Sequence, residues 1–115
     1  MKALDINYLL FLEGRRLDAV IFLKDTLQLE FDYATITCYT WPVILGAAAD
    51  YQYSDGDYKN SLCSLVTQNI TGITNTSRGL VLTFSEAELL FPLDGEREIL
   101  FIVNENEEWY SYPIH

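Results

Sequence analysis

Histidine is almost missing from this chain: of 115 residues one is histidine, and it is the last, His115. Chain ends fray and a general base must be held in place, so Ser-His-Asp and Cys-His constellations have nothing to be built on, and no catalytic residue is expected. Bases are scarce as well. Seven Lys and Arg stand against seventeen Asp and Glu, for a net charge of −10. Nucleic-acid phosphates and anionic membrane surfaces are bound through clustered Lys and Arg, so both are excluded as partners. The two cysteines, Cys38 and Cys63, are unclustered and are expected to stay reduced. Long apolar runs are absent; none approaches the roughly 20 residues that span a bilayer. At the N-terminus, Asp5 and Asn7 interrupt the apolar stretch and Glu13 closes it without a cleavage site. It does not read as a secretory signal, so the expected location is cytoplasmic, and the sequons at Asn69 and Asn75 carry no weight. Gly14 stands before Arg15-Arg16 but in no strand-to-helix context that could cradle phosphate.

What is plentiful is apolar and aromatic. Half the residues are hydrophobic and 14% are aromatic, which argues against disorder and for one domain over residues 1–115 with a single core.

The apolar pattern is written twice. Slid by 53 positions, Leu27, Leu29, Phe31 and Ala34 fall on Leu80, Leu82, Phe84 and Ala87 without a gap. The match extends upstream, where Leu9, Leu12, Leu17 and Val20 fall on Leu62, Leu65, Ile70 and Ile73. Two repeats follow, residues 5–40 and 58–93. Each opens with a short amphipathic helix, with Asp57 as the N-cap of the second and Asp5 in that place in the first. Each continues as a three-stranded meander. Apolar positions three apart predict a bulge near Ala19 and Gly72, and the clean alternation of Leu27, Leu29 and Phe31 predicts a strand with one wetted face. Gly79 supplies the positive φ of a tight turn, and Pro92 ends the third strand of the second copy. The continuations differ: residues 99–103 and 109–114 read as a terminal hairpin, 43–45 as a strand, and 46–50 fit no element. The fold class is therefore α+β, mainly antiparallel β. Cys38 and Cys63 fall opposite Phe91 and Leu10 in the repeat, so both thiols are expected in the core.

Carboxylates offer two chemical readings, and neither survives its pattern. Asp50, Asp55 and Asp57 crowd one loop, but a calcium loop centred on Gly56 would take ligands from Tyr51, Tyr53 and Leu62, so no metal and no cofactor is expected. A glycosidase-type pair of Glu30 with Glu86 or Glu88 draws on positions that alternate with buried residues and belong to wetted faces.

Aromatics near acids are the materials of protein interfaces. Trp41 and Tyr53 lie beside Asp50 and Asp55, while Trp109 and Tyr110 end an acidic stretch. From Glu86 to Glu108 there are eight acids and one base, −7 of the total −10. The candidate binding set is therefore Trp41, Asp50, Tyr53 and Asp55, with Glu96, Glu98, Glu105, Glu107, Glu108, Trp109 and Tyr110. The partner it implies is a cationic protein.

The duplicated segments LEGRRLDAVIFLKDTLQLEFD and LVTQNITGITNTSRGLVLTFSE resemble small bacterial domains of uncharacterised function. In size, acidity and lack of catalytic groups the whole resembles the immunity proteins of contact-dependent inhibition and related polymorphic toxin systems. That resemblance implies neutralisation of a cognate cationic toxin domain, commonly a nuclease, in the cytosol. The alternatives are a small ligand-binding or enzymatic domain with a carboxylate-lined cleft, and a structural homodimer joined by its aromatic patch.

Overall fold

The 53-residue offset reappears in the bonds that join the two halves. The computed structural model describes residues 7–47, 49–93 and 98–112. In it Arg16 forms an isolated antiparallel bridge with Asn69, its own repeat counterpart. Leu17 N–H donates to Gln68 O and Ile70 N–H donates to Arg15 O, both at 2.9 Å. Gly14 N–H donates to Ile70 O at 2.8 Å, and Thr67 N–H donates to Leu17 O at 2.7 Å. In each pair the second bond is the first with the two repeats exchanged. Such reciprocity is what a twofold axis produces at an interface, here inside one chain.

The first helix is a 3-10 helix over Asn7–Leu12 and the second is α-helical, α1 over Tyr58–Cys63. Both copies bury leucines three apart, Leu9 with Leu12 and Leu62 with Leu65, and α1 adds buried Tyr58 four positions before Leu62. The strands are β1 (Leu17–Phe22), β2 (Leu27–Phe31), β3 (Ala34–Cys38), β4 (Val43–Gly46), β5 (Asp50–Tyr51), β6 (Gly72–Thr76), β7 (Gly79–Thr83), β8 (Ala87–Pro92), β9 (Leu100–Asn104) and β10 (Trp109–Tyr112). β1 and β2 shift register between Leu17 and Ala19, so Asp18 is the extra residue of the expected bulge. In the second copy Thr71 N–H donates at 2.7 Å to the O of Thr83, the residue that Gly72 faces. At Gly79, φ is 147° and an added Cβ would lie 2.0 Å from Phe91 O, so no side chain fits this turn.

Two five-stranded antiparallel sheets result, β1-β2-β3-β9-β10 and β5-β4-β8-β7-β6, called sheets 1 and 2. Their orders show an exchange. The hairpin after the first meander, β4–β5, joins the second repeat beside β8, and β9–β10 joins the first repeat beside β3. The two continuations are thus counterparts, which corrects the expectation that they differ: Ile36 faces Ile102 as Leu89 faces Ile44. Of residues 46–50, unassigned from sequence, Gly46 ends β4, Asp50 opens β5, and Gly46 N–H donates to Ala49 O at 3.1 Å. Pro42 holds Trp41 extended, which suits a crossing between sheets better than a turn.

Both inner faces and both helices feed one core, in which Leu29 and Leu82 are each fully buried. The 3-10 helix packs by β6, and α1 packs by β1 and β4. Three tyrosine hydroxyls fasten these joins, where a buried O–H needs a partner. Tyr58 donates to Pro42 O at 2.5 Å, Tyr8 donates to Ser111 O at 2.7 Å, and Tyr112 bonds Asn75. Burial pushes the Tyr58 hydroxyl well above its ordinary pKa and lifts Tyr112 to about 12.

Two local expectations are corrected. Asp57 precedes α1, but its side chain makes no cap bond: with ψ at 2° it lacks the extended backbone that turns a cap side chain onto the first helical N–H groups. Cys38 is buried, whereas Cys63 is exposed. Its counterpart Leu10 is itself 40% exposed, so the equivalence held and the inference from apolar character failed. The cap assigned to Asp5 lies outside the described residues.

Candidate protein-binding surface

Ala34 faces Asn104 across β3 and β9, which sets the Asp32-Tyr33 turn beside the loop 105–108 at one end of sheet 1. In the loop 105–108 a short polar side chain folds onto its own backbone, while the Asp32 carboxylate reaches across to the segment before β1. Asn104 Oδ1 accepts from the N–H groups of Asn106 (2.9 Å) and Glu108 (3.1 Å), and its Nδ2 donates to Glu108 Oε1 at 3.1 Å. Asp32 Oδ1 accepts from Arg16 N–H at 2.6 Å. Arg15 ties the two turns together. It donates to Phe11 O (3.1 Å) and Asp32 O (3.2 Å), meets Glu105 at 3.3 Å, and lies 5.8 Å from the centre of the Tyr33 ring.

Two large side chains stand out from this end. Tyr33 is 66% exposed and Trp109 65%, the highest values for large hydrophobic residues among those described. Trp109 faces Val103 on the outer side of sheet 1 and stacks on Phe101 at 5.8 Å. Trp109 lies on the row of Thr35, two strand spacings across and two residues along from Tyr33, roughly 12 Å away. Two of the three non-glycine residues with positive φ among those described, Tyr33 (66°) and Glu107 (62°), lie here, and the third, Thr67 (81°), bonds Leu17 O at the crossing between the repeats. Left-handed backbone is uncommon for any side chain and an outlier for a bulky or β-branched one.

The surroundings are acidic. Asp18 pairs with Arg16 at 2.6 Å, Glu105 pairs with Arg15, and the charge of Asp32 also acts on the Arg16 guanidinium, leaving Glu30, Glu107 and Glu108 without a cation partner among the described residues. The hydrogen bond to Asp18, and its charge, raise the Arg16 pKa further.

The sequence-derived candidates do not share one surface. Glu105, Glu107, Glu108 and Trp109 belong to this end. Tyr110 faces inward, with its ring 5.9 Å from Tyr8 and 5.4 Å from Phe11. Trp41 is half-buried between Tyr53 (4.0 Å) and Phe22 (6.4 Å) at the opposite end, about 13 Å away along β3. Asp50 and Asp55 border a shallow hollow there with Tyr51 and Asp57, and the Asp55 carboxylate is taken by Gln52 N–H at 2.8 Å. Glu98 is half-buried just before β9, and Glu96 lies outside the described residues. Among the described residues no three His, Cys, Asp or Glu side chains group to hold a metal ion. Glu30 and Glu88 lie on the outer faces of different sheets and cannot flank one bond. No helix among the described residues is long and apolar enough to cross a membrane.

No family model, curated protein or solved structure matches the chain.

Tyr33 and Arg15 were missed by reading the sequence. The signal was present: a bulky aromatic in a two-residue turn between alternating strands, where Asn or Gly belongs, is held there against backbone preference.

Proposed function

We propose that this protein is an acidic binding module that captures a cationic protein through the Tyr33–Trp109 end of sheet 1. The observation that carries the reading is the pairing of the two most exposed large aromatics within one rim of uncompensated carboxylates. Aromatics that stand clear of the core supply contact area at low entropy cost, and surrounding charge steers a partner of opposite sign. Within that class the chain is read as an immunity protein that blocks a cognate toxin domain with a basic surface, a nuclease by preference, in the cytoplasm. Its size, acidity and the resemblance noted above support this reading.

Capture from the native strain with immobilised wild type, Tyr33→Ala/Trp109→Ala and Tyr53→Ala chains tests it. A basic protein retained by wild type and Tyr53→Ala, and lost from the double variant, is expected. Retention by all three chains would move the site elsewhere.

A further inference from the structure

The outer faces of the two sheets are related by the pseudo-twofold, yet sheet 2 carries apolar residues where sheet 1 is polar. On sheet 2 Val81 faces Leu90 across β7 and β8, and both are buried although they lie on the side away from the core. Their counterparts in the first repeat are Gln28 and Thr37, which face each other across β2 and β3. Leu45 faces Glu88 beside them. These three apolar residues line a hollow of about 310 Å3, bordered by Thr74, Arg78 and Glu88. That volume is at the lower end of those that take small molecules, roughly 300 Å3 and upward.

Arg78 stands at one end of the hollow, where the first repeat has Asp25. Its turn is fixed. Thr76 Oγ1 accepts from Arg78 N–H and Gly79 N–H, both at 3.2 Å, and donates to Gly79 O at 2.8 Å. Gly79 is packed onto Phe91 O so closely that no side chain could replace its hydrogen. Among the described residues no carboxylate comes within ion-pair distance of the Arg78 guanidinium, in a chain where acids outnumber bases seventeen to seven. Glu88 is at the far end, held by Thr83 Oγ1 at 3.1 Å. The backbones at Arg78 and Glu88 are set apart by the span from Gly79 to Thr83, on the order of 13 Å.

We infer that this hollow is a binding site for a small aliphatic carboxylate, with the acid on the Arg78 guanidinium and the chain across Val81, Leu90 and Leu45. A planar guanidinium on a preorganised turn is suited to a carboxylate, and the Glu88 carboxylate across the hollow is engaged by Thr83 Oγ1. The site is separate from the sheet 1 surface and does not depend on the function proposed for it.

Titration of the 15N-labelled full chain with hexanoate, hexanol and hexylamine, followed by amide shifts, tests the assignment. Hexanoate is expected to shift residues 76–81 and 88–91 saturably, with hexanol and hexylamine weaker by about tenfold or more, the worth of a charged hydrogen bond. Arg78→Gln should weaken hexanoate by a similar factor and Arg78→Lys by less, while Tyr33→Ala/Trp109→Ala should leave it unchanged. Equal binding of hexanol, preference for hexylamine, indifference to Arg78→Gln, or no saturable shift would each overturn it.

Discussion

Phe31 stacks on Phe84, its own counterpart in the second repeat, with ring centres 6.4 Å apart and planes 14° from parallel. A residue that meets its own repeat image marks a symmetry axis, and Arg16 with Asn69 marks the same one. Around that axis hairpins and helices are traded between the halves, so the core belongs to both repeats and to neither alone.

Thr67 occupies the place of Gly14, with φ 81° against 84°. A left-handed backbone costs a β-branched residue about 1–2 kcal/mol, part of which glycine returns through unfolded-state entropy. Thr67→Gly is expected to raise stability by about 1 kcal/mol in urea unfolding, and the reverse change, Gly14→Thr, to lower it by a similar amount. Destabilisation by Thr67→Gly would mean that the threonine side chain holds this crossing.

The exchange of hairpins predicts the behaviour of the separated halves. Residues 1–56 and 57–115, cut at an exposed turn, should each lack cooperative unfolding alone and regain the native amide spectrum when mixed. A half that folds unaided would show that the exchange is dispensable.

Buried hydroxyls set the alkaline limit. Tyr112 has its pKa raised from 10.0 to about 12 by burial, and that of Tyr58 is raised further for the same reason. An acid with a raised folded-state pKa contributes stability in full below its unfolded pKa and loses it as pH rises through the folded value. Unfolding free energy should therefore be flat with respect to these groups up to about pH 10 and fall above it. Tyr112→Phe should reduce the slope above pH 10; an unchanged slope would contradict this.

Thiol chemistry separates the two cysteines. Cys63 is exposed, while Cys38 is buried with its pKa pushed far up by desolvation. A thiol reagent at neutral pH should modify one cysteine of the native protein at once and the second at the rate of unfolding. Equal rates would place Cys38 outside the core.

Reading the sequence recovered the repeat, the three meander strands of each copy, the bulge expected near Ala19 and the terminal hairpin, because each leaves a local period; the bulge expected near Gly72 shows no register shift between β6 and β7. The exchange of hairpins left none. Nine residues separate Phe91 from Phe101 where four separate Cys38 from Val43, so an ungapped slide loses the match before β4. The trace that remains is short: Tyr51-Gln52-Tyr53 against Tyr110-Ser111-Tyr112. The candidate surface was half legible. Acids and Trp109 are visible as composition, but alternation along β10 sends Tyr110 inward, and only the pairing of Ala34 with Asn104 brings Tyr33 to Trp109's end of the sheet. Trp41 reads as a surface anchor until Phe22 and Tyr53 are seen to enclose it.

The most direct test of the binding account is the association rate of the captured partner, measured from low to physiological salt for wild type, Trp109→Ala and a chain with Glu105, Glu107 and Glu108 changed to Gln. The account predicts an on-rate that falls with salt in wild type and falls less in the triple variant, and a faster off-rate for Trp109→Ala at a cost of about 2 kcal/mol or more. An acidic partner, or rates indifferent to salt and to all four positions, would contradict it.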